Sequence, residues 1–505
     1  MEWDREQKDC IDTALNGDSF MLMGVGGTGK STVIKYVVEN MRKQGKTVSI
    51  TATTGVAANV IDGDIIHSFF GLGCSNADEG YSVLIAKIKS NANALANWRN
   101  IDALILDEVS MLGAEMLDML DRAAKEIRRN SFPFGGIQVI MSGDFFQNGP
   151  IRTTSDGTKL EPLFAFQSSA YRRLFVKHIE LKTIYRQKDE VFQRVLKEVR
   201  YAQLSEDSAN ILKSRVGAKV AVDGIEPTYL YPMNVDVNAF NNRRLRELNV
   251  PIYLFRSVDG LFDQRYTRKL ETCRFTNILE LAVGAQVMLL ANNVIEGLIN
   301  GSRGVVEGFS RNWGDLQPGS YEVSESIKVT VRFKTGTFEI PALRLEYNST
   351  NGTLVANRFQ FPLMLAWASS IHKAQGSQMD CVVINPEKIF APGMFYVALS
   401  RVTSLEGLSL ENFNKTKIKT YPIVLKWYQN NFEGSITTSY IKYTENLKAE
   451  DFKEFTAETA MDFFSLFVLK YAPLKELSSY PPSLSTLIRD YLNIYKTTEI
   501  FEPLL

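Results

Sequence analysis

The run GVGGTGKS, from Gly24 to Ser31, places two glycines, a lysine and a hydroxyl at the spacing G-x-x-x-x-G-K-[ST]. Glycines let backbone N–H groups approach a phosphate closely, and the positive end of a following helix adds to that attraction. The flanks agree, since the apolar SFMLMGV precedes the loop and the helical pattern TVIKYVVENMRK follows it. Gly24, Val25, Gly26, Gly27, Thr28, Gly29, Lys30, Ser31 and Thr32 are therefore expected to surround a nucleoside triphosphate. Lys30 is expected to reach the β- and γ-phosphates and Ser31 to ligate Mg²⁺.

Two further polar sites follow apolar strands. DALILDEVSM ends at Asp107 and Glu108. A carboxylate at that place, as on Asp107, suits a Mg²⁺ ligand, and its neighbour Glu108 suits general-base polarisation of an attacking water. The same pair elsewhere is a common helix N-cap. GIQVIMSGD continues to Gln147, whose neutral amide can hydrogen-bond a γ-phosphate or its water without adding charge. A loop glutamine with no task is an equal reading on spacing alone.

The elements that must carry these groups are strands buried on both faces. SFMLMGV, KTVSITAT, DALILDEV and GIQVIMSGD are continuous apolar runs separated by helical stretches, the pattern of a covered parallel sheet. In such sheets ligands bind at the carboxyl ends of the strands. This first domain is read as 1–180, interrupted by a polar insertion at about 72–99. Residues 181–283 return to helix and strand, 284–350 read as a small β-barrel domain, and 351–420 resume the α/β pattern. Residues 421–505 read as a mainly helical C-terminal extension of unknown role.

Composition narrows the partners. The chain has 505 residues, 45% hydrophobic and 23% charged, and 57 basic against 57 acidic side chains. That balance argues against a basic coat for nucleic acid but leaves room for a local basic groove. Cys10, Cys74, Cys273 and Cys381 lie far apart with no C-x-x-C pair, which fits an intracellular, reducing compartment and no zinc site. No apolar run reaches the roughly 18 residues a membrane span needs. The charged N-terminus does not read as a secretory signal.

In order along the chain, GVGGTGKS, TATTGVAA (51–58), HSFFG (67–71), LILDEVSML (104–112), FGGIQVIMSGDFFQ (134–147), YRQ (185–187), SSIHKAQGSQMD (369–380) and YVALSRVTS (396–404) resemble the helicases of the petite integration frequency (Pif) family, superfamily one, group B. The stretch from Ser110 to Ile140 is similar to the segment that sets this family apart from RecD-like helicases. The resemblance covers about residues 1–410 and departs at Asn148–Gly149–Pro150, where the family usually has Leu-Pro-Pro.

The resemblance implies an α/β motor of two RecA-like parallel-sheet domains with ATP and Mg²⁺ between them and a small inserted wedge. Arg186 and Arg401 would then face the phosphates as arginine fingers, and Gln7, in a compressed WDREQ element, would contact adenine. Tyr185 would either stack on the adenine or serve as a core tyrosine. Thr53, Thr54, His67, Phe69, His372, Lys373 and Gln375 would lie along single-stranded DNA, with core packing the competing role for Phe69 and Phe70 and structural hydrogen bonding for the histidines.

The implied activity is an ATP-driven, 5′-to-3′ monomeric DNA helicase acting on single-stranded and tailed duplex DNA, in replication, repair or recombination. The alternatives are an RNA-preferring superfamily-one helicase or a nucleic-acid-binding scaffold with little turnover. The presence of Lys30, Asp107, Glu108, Arg186 and Arg401 speaks against the scaffold.

Overall fold

A computed structural model describes residues 3–433 of the chain, except 55–56, 59–60, 62, 73–79, 153–157, 159, 176, 221–224, 265–266, 272, 274, 292–293, 296–297, 299–300, 312–313, 349–353 and 376. The expected C-terminal extension beyond 433 and Cys74 fall outside the described residues. Among the described residues, no helix is long and apolar enough to cross a membrane.

The first sheet contains β1 (Phe20–Gly24), β2 (Val48–Ala52), β3 (Asp64–Ile65), β4 (Ala103–Asp107), β5 (Gln138–Gly143) and β6 (Lys177–Leu181), in the spatial order β3-β2-β4-β5-β1-β6. Every pairing is parallel. Strands β1, β4 and β5 are buried at every position, which explains their unbroken apolar runs. Because β4, β5 and β1 are neighbours, Asp107, Gly143 and Gly24 end three adjacent strands on one sheet edge.

Two helices frame that edge. Helix α1 (Arg5–Leu15) begins with a capping box in which Asp4 and Gln7 satisfy one another's backbone N–H groups. Helix α2 (Lys30–Lys43) starts at Gly29, whose φ of 84° favours glycine, and buries Val33, Ile34, Val37, Val38 and Met41 along one face. Arg42 and Lys43 close its last turn, where positive charge complements the helix dipole.

The second α/β sheet places β7 (Thr228–Tyr231) between Ala368–Ser370 and Val382–Ile384, with Leu408–Leu410 at the edge, all parallel. One apolar cluster runs from Met21 and Leu106 on the first sheet, through Phe192 and Val397, to Leu230 and Val382 on the second. Packing therefore continues across the two sheets. Among the described residues the insertion contributes two helices, Tyr81–Lys89 and Ala92–Asn100, whose Leu84, Ile88 and Trp98 join this same cluster.

The β-rich unit is larger than its sequence boundaries suggest. Strands begin at Ile252–Arg256 and Val258–Leu261 and continue to Leu363–Leu365. The first is mostly half-buried and the second mostly exposed, so neither shows the inside-outside alternation of a strand with one buried face. The unit holds three sheets, and none closes into a ring among the described residues. Its core uses strict alternation, as in Ile327–Phe333, where Ile327, Val329, Val331 and Phe333 point inward.

The start of the presumed extension is described. Helix Pro422–Tyr428 packs back on the first domain, with Trp427 stacked on Phe166 at 4.9 Å and edge-on to Phe145 at 5.0 Å.

Candidate active site

The phosphate loop joins β1 to α2 and is closed by its own side chains. Thr28 is buried and donates its hydroxyl to the Val25 carbonyl at 3.0 Å. Any Cβ on Gly24 would lie 2.6 Å from that hydroxyl oxygen. Gly27, at φ 92°, leaves room for Arg186, whose Cβ would be 2.4 Å from a side chain there. The Tyr185 N–H donates to the Gly27 carbonyl at 2.8 Å, so the YRQ segment rests directly on the loop.

A cavity of about 530 Å³ opens beside this loop. Of the residues expected around the nucleotide, it is lined by Gln7, Gly26, Gly27, Gly29, Lys30, Ser31, Thr32 and Tyr185. Asp107, Glu108, Gln147, Arg186 and Arg401 also line it. Gly24, Val25 and Thr28 instead form the loop's inner wall. Trp3 and Gln378 line the cavity too and are absent from the sequence-based set. Both lie inside strings already singled out, WDREQ and HKAQGSQMD, which is the signal that would have found them.

At the cavity's outer end, Tyr185 is exposed and donates to Asp4 at 3.0 Å, so its ring faces the opening rather than a core. The Gln7 Oε1 accepts from the Asp4 N–H, which leaves Nε2 to donate to a ring nitrogen.

The charge at the inner end is concentrated. Lys30 donates to the Gly24 and Val25 carbonyls at 2.6 and 3.2 Å. Burial lowers its pKa, against the pull of Glu108, Asp144 and Asp107. Burial and the adjacent Glu108 push Asp107 up to about 6. Glu108 itself adopts φ 51°, ψ 44°, a left-handed conformation that costs a non-glycine residue on the order of 1 kcal/mol and often marks functional sites.

Buried Arg401 and half-buried Arg186 set two guanidiniums against Gly26, where a Cβ would be 3.4 Å from one and 3.5 Å from the other. Arg401 donates only to neutral oxygens: the Val397 and Ser377 carbonyls and the Ser400 hydroxyl, at 2.9, 3.3 and 2.7 Å. Arg186 donates to the Ser400 carbonyl at 3.3 Å. Neither forms an ion pair among the described residues. Burial, then the neighbouring Arg186, lowers the Arg401 guanidinium to about 10, so it stays charged at neutral pH. Glu108 attracts both cations without pairing with either, and a triphosphate would supply the anion that two partly desolvated charges side by side call for.

Gln147 is buried and, among the described residues, its Oε1 has no hydrogen-bond partner, leaving an acceptor for a water or hydroxyl. Its loop is anchored by groups not anticipated from sequence. Asp144 is fully buried, takes Arg200 at 2.9 Å and accepts from Tyr396 at 2.9 Å. Gly393 then lies so close that a Cβ would be 2.5 Å from the Gln147 carbonyl. These contacts span long sequence separations and leave no local signature.

The presumed strand contacts divide. Thr53 spends its hydroxyl on the Glu108 carbonyl at 2.8 Å, and the Thr54 hydroxyl accepts from Ala57 N–H at 3.2 Å. His67 and Phe69 lie on the short helix Ile66–Phe69, and His372 and Lys373 on Ile371–Ala374. Burial lowers the pKa of both histidines, so at neutral pH they offer hydrogen bonds rather than charge. Lys373 is exposed, whereas Phe69 packs partly against the core. Phe70 is wholly buried with its ring 3.9 Å from Trp98, which settles it as a core residue. Gln375, expected along the strand, is buried and turned into the cleft, where it binds Glu108 and Asn148.

Comparison with known proteins agrees with this layout. Residues 3–218 match the PIF1-like helicase family, 271–309 the 2B domain of DNA helicase Pif1, and 365–404 the UvrD-like helicase C-terminal domain. The human ATP-dependent DNA helicase PIF1 is 38% identical over 84% of the chain, which spans 63% of that relative's length. The crystal structure of Pif1 helicase from Candida albicans is 33% identical, with TM-score 0.71, covering 85% of this chain and 99% of that one. A Bacteroides Pif1 helicase in complex with ADP-AlF3 and ssDNA is 27% identical, with TM-score 0.60, covering 86% and 98%.

Proposed function

The chain belongs to the PIF1-like helicase family, and from that premise we propose that it is an ATP-dependent DNA helicase that moves 5′ to 3′ on single-stranded DNA and separates duplexes. The observation that carries this reading is the pair of guanidiniums, buried Arg401 and half-buried Arg186, set against the phosphate loop with no ion pair among the described residues. On this reading Lys30 and the two arginines neutralise charge on the phosphates during attack. Glu108 accepts a proton from the attacking water, and Gln147 Oε1 accepts the hydrogen bond that orients it. The bond to the γ-phosphorus from its bridging oxygen breaks, and that oxygen leaves with ADP.

Ser31 and Asp107 suit Mg²⁺, since both offer hard oxygen ligands at the cavity wall. The ion would supply charge neutralisation at the β- and γ-phosphates. The strand would run past His67, Phe69, His372 and Lys373 at the carboxyl ends of both sheets. Polarity rests on family membership, as does a monomeric motor. A reducing compartment is supported by the unpaired, buried thiols of Cys10 and Cys381.

Strand separation on tailed duplexes tests this reading. Unwinding is expected from a 5′ tail in the presence of ATP, with little from a 3′ tail, from blunt ends or on an RNA duplex. Unwinding only from a 3′ tail would reverse the polarity, and a preference for RNA would move the substrate class.

A further inference from the structure

Asn148 stands where the sequence resemblance leads one to expect leucine, and its side chain is 4% exposed. Its Nδ2 donates to Gln375 Oε1 at 2.8 Å, and Gln375 Nε2 donates to Glu108 Oε2 at 2.9 Å. Asn148 and Glu108 flank the first sheet, whereas Gln375 follows a strand of the second. The relay therefore leaves one domain and returns to it through the other.

The direction of both hydrogen bonds is forced by chemistry. An ionised carboxylate only accepts, so Gln375 must turn its NH₂ toward Glu108. Its carbonyl oxygen then faces residue 148 in a buried place, where an oxygen without a donor is costly. Asparagine supplies the donor and leucine does not. We propose that Asn148 is a positioning residue. It fixes the amide of Gln375, and through it the Glu108 carboxylate, so the water-activating group is aligned only while the second domain is docked. The proposal rests on the ATP-hydrolysing function above. It also gives the Asn148 departure a physical purpose and explains why Gln375 is drawn out of the strand track.

The test is a double-mutant cycle on the full chain: wild type, Asn148→Ala, Gln375→Ala and both together, in ATP hydrolysis with single-stranded DNA. Asn148→Ala is expected to lower kcat about tenfold, the effect of leaving one buried acceptor unsatisfied. The KM for ATP should move less than about twofold, because Asn148 does not line the nucleotide cavity. In the Gln375→Ala background the same change should cost less than about twofold, since the partner is already gone.

Hydrogen exchange on the same proteins needs no turnover. Asn148→Ala should loosen residues 371–379, and Gln375→Ala should loosen 144–150. Equal losses in both backgrounds, no loss in either, or exchange confined to each variant's own segment would overturn the relay. A wild-type chain without turnover would instead refute the proposed function and with it the catalytic purpose of the relay. The exchange comparison would still report whether the contact exists.

Discussion

Replacing Lys30 with alanine is expected to lower ATP turnover by about 10³-fold, the scale on which removing one preorganised charge from a phosphoryl-transfer site falls. The geometry gives the reason. Lys30 now rests on the Gly24 and Val25 carbonyls, with its charged form disfavoured by burial. A triphosphate brings the compensating charge, and the ammonium passes from two carbonyls to phosphate oxygens. Among the described residues no other lysine lines the cavity, and Arg186 and Arg401 are held on its far side by their own hydrogen bonds. Single-stranded DNA binding should remain close to wild type, because Lys30 faces the nucleotide cavity rather than the residues assigned to the strand. Turnover measured at saturating ATP, beside a strand-binding titration, checks both halves. Wild-type turnover in Lys30→Ala would remove the phosphate loop from the chemistry.

The second large effect is expected at Arg401. Arg401→Ala should cost about 10³-fold in turnover, the size of a cis arginine finger. Arg401→Lys should remain strongly impaired although it keeps the charge. All three guanidinium nitrogens of Arg401 are in use, holding it against Val397, Ser377 and Ser400. An ammonium on a flexible stem lacks that planar fork. The lysine variant also guards against a trivial result, since it keeps the charge and most of the aliphatic stem in a buried place. Single-turnover hydrolysis with ATP prebound separates this from weaker binding. A lysine variant with normal hydrolysis would end the assignment.

What was legible in the sequence follows from how local each signal is. The phosphate loop and the strands ending at Asp107 and Gly143 are written in contiguous runs, because parallel strands buried on both faces must be apolar throughout. That places Lys30, Asp107, Glu108 and Gln147 on one edge before any coordinate is known. Arg186 and Arg401 became legible only through the resemblance of their strings. The side-chain relay from Asn148 through Gln375 to Glu108 was not, because its links join residues 227 and 267 apart in the chain. The Asp144–Arg200–Tyr396 anchor was hidden for the same reason. Phe69 and Phe70 are adjacent and chemically identical, yet one is half-buried and the other lies against Trp98. Helix Ala92–Asn100 supplies the Trp98 ring that covers Phe70.

On this reading the catalytic charges are divided between two domains and act together only when the cleft is closed. Lys30, Asp107, Glu108 and Gln147 belong to the first domain, while Arg186, Gln375 and Arg401 reach them from the second side. A strand that touches both domains would favour the same closure. The most direct measurement is ATP hydrolysis with and without single-stranded DNA across a salt series. Low basal turnover is predicted, rising about tenfold or more with the strand, and that rise should shrink as salt weakens phosphate contacts. Hydrolysis at the same rate with and without DNA, at every salt concentration, would mean that the strand does not close the cleft.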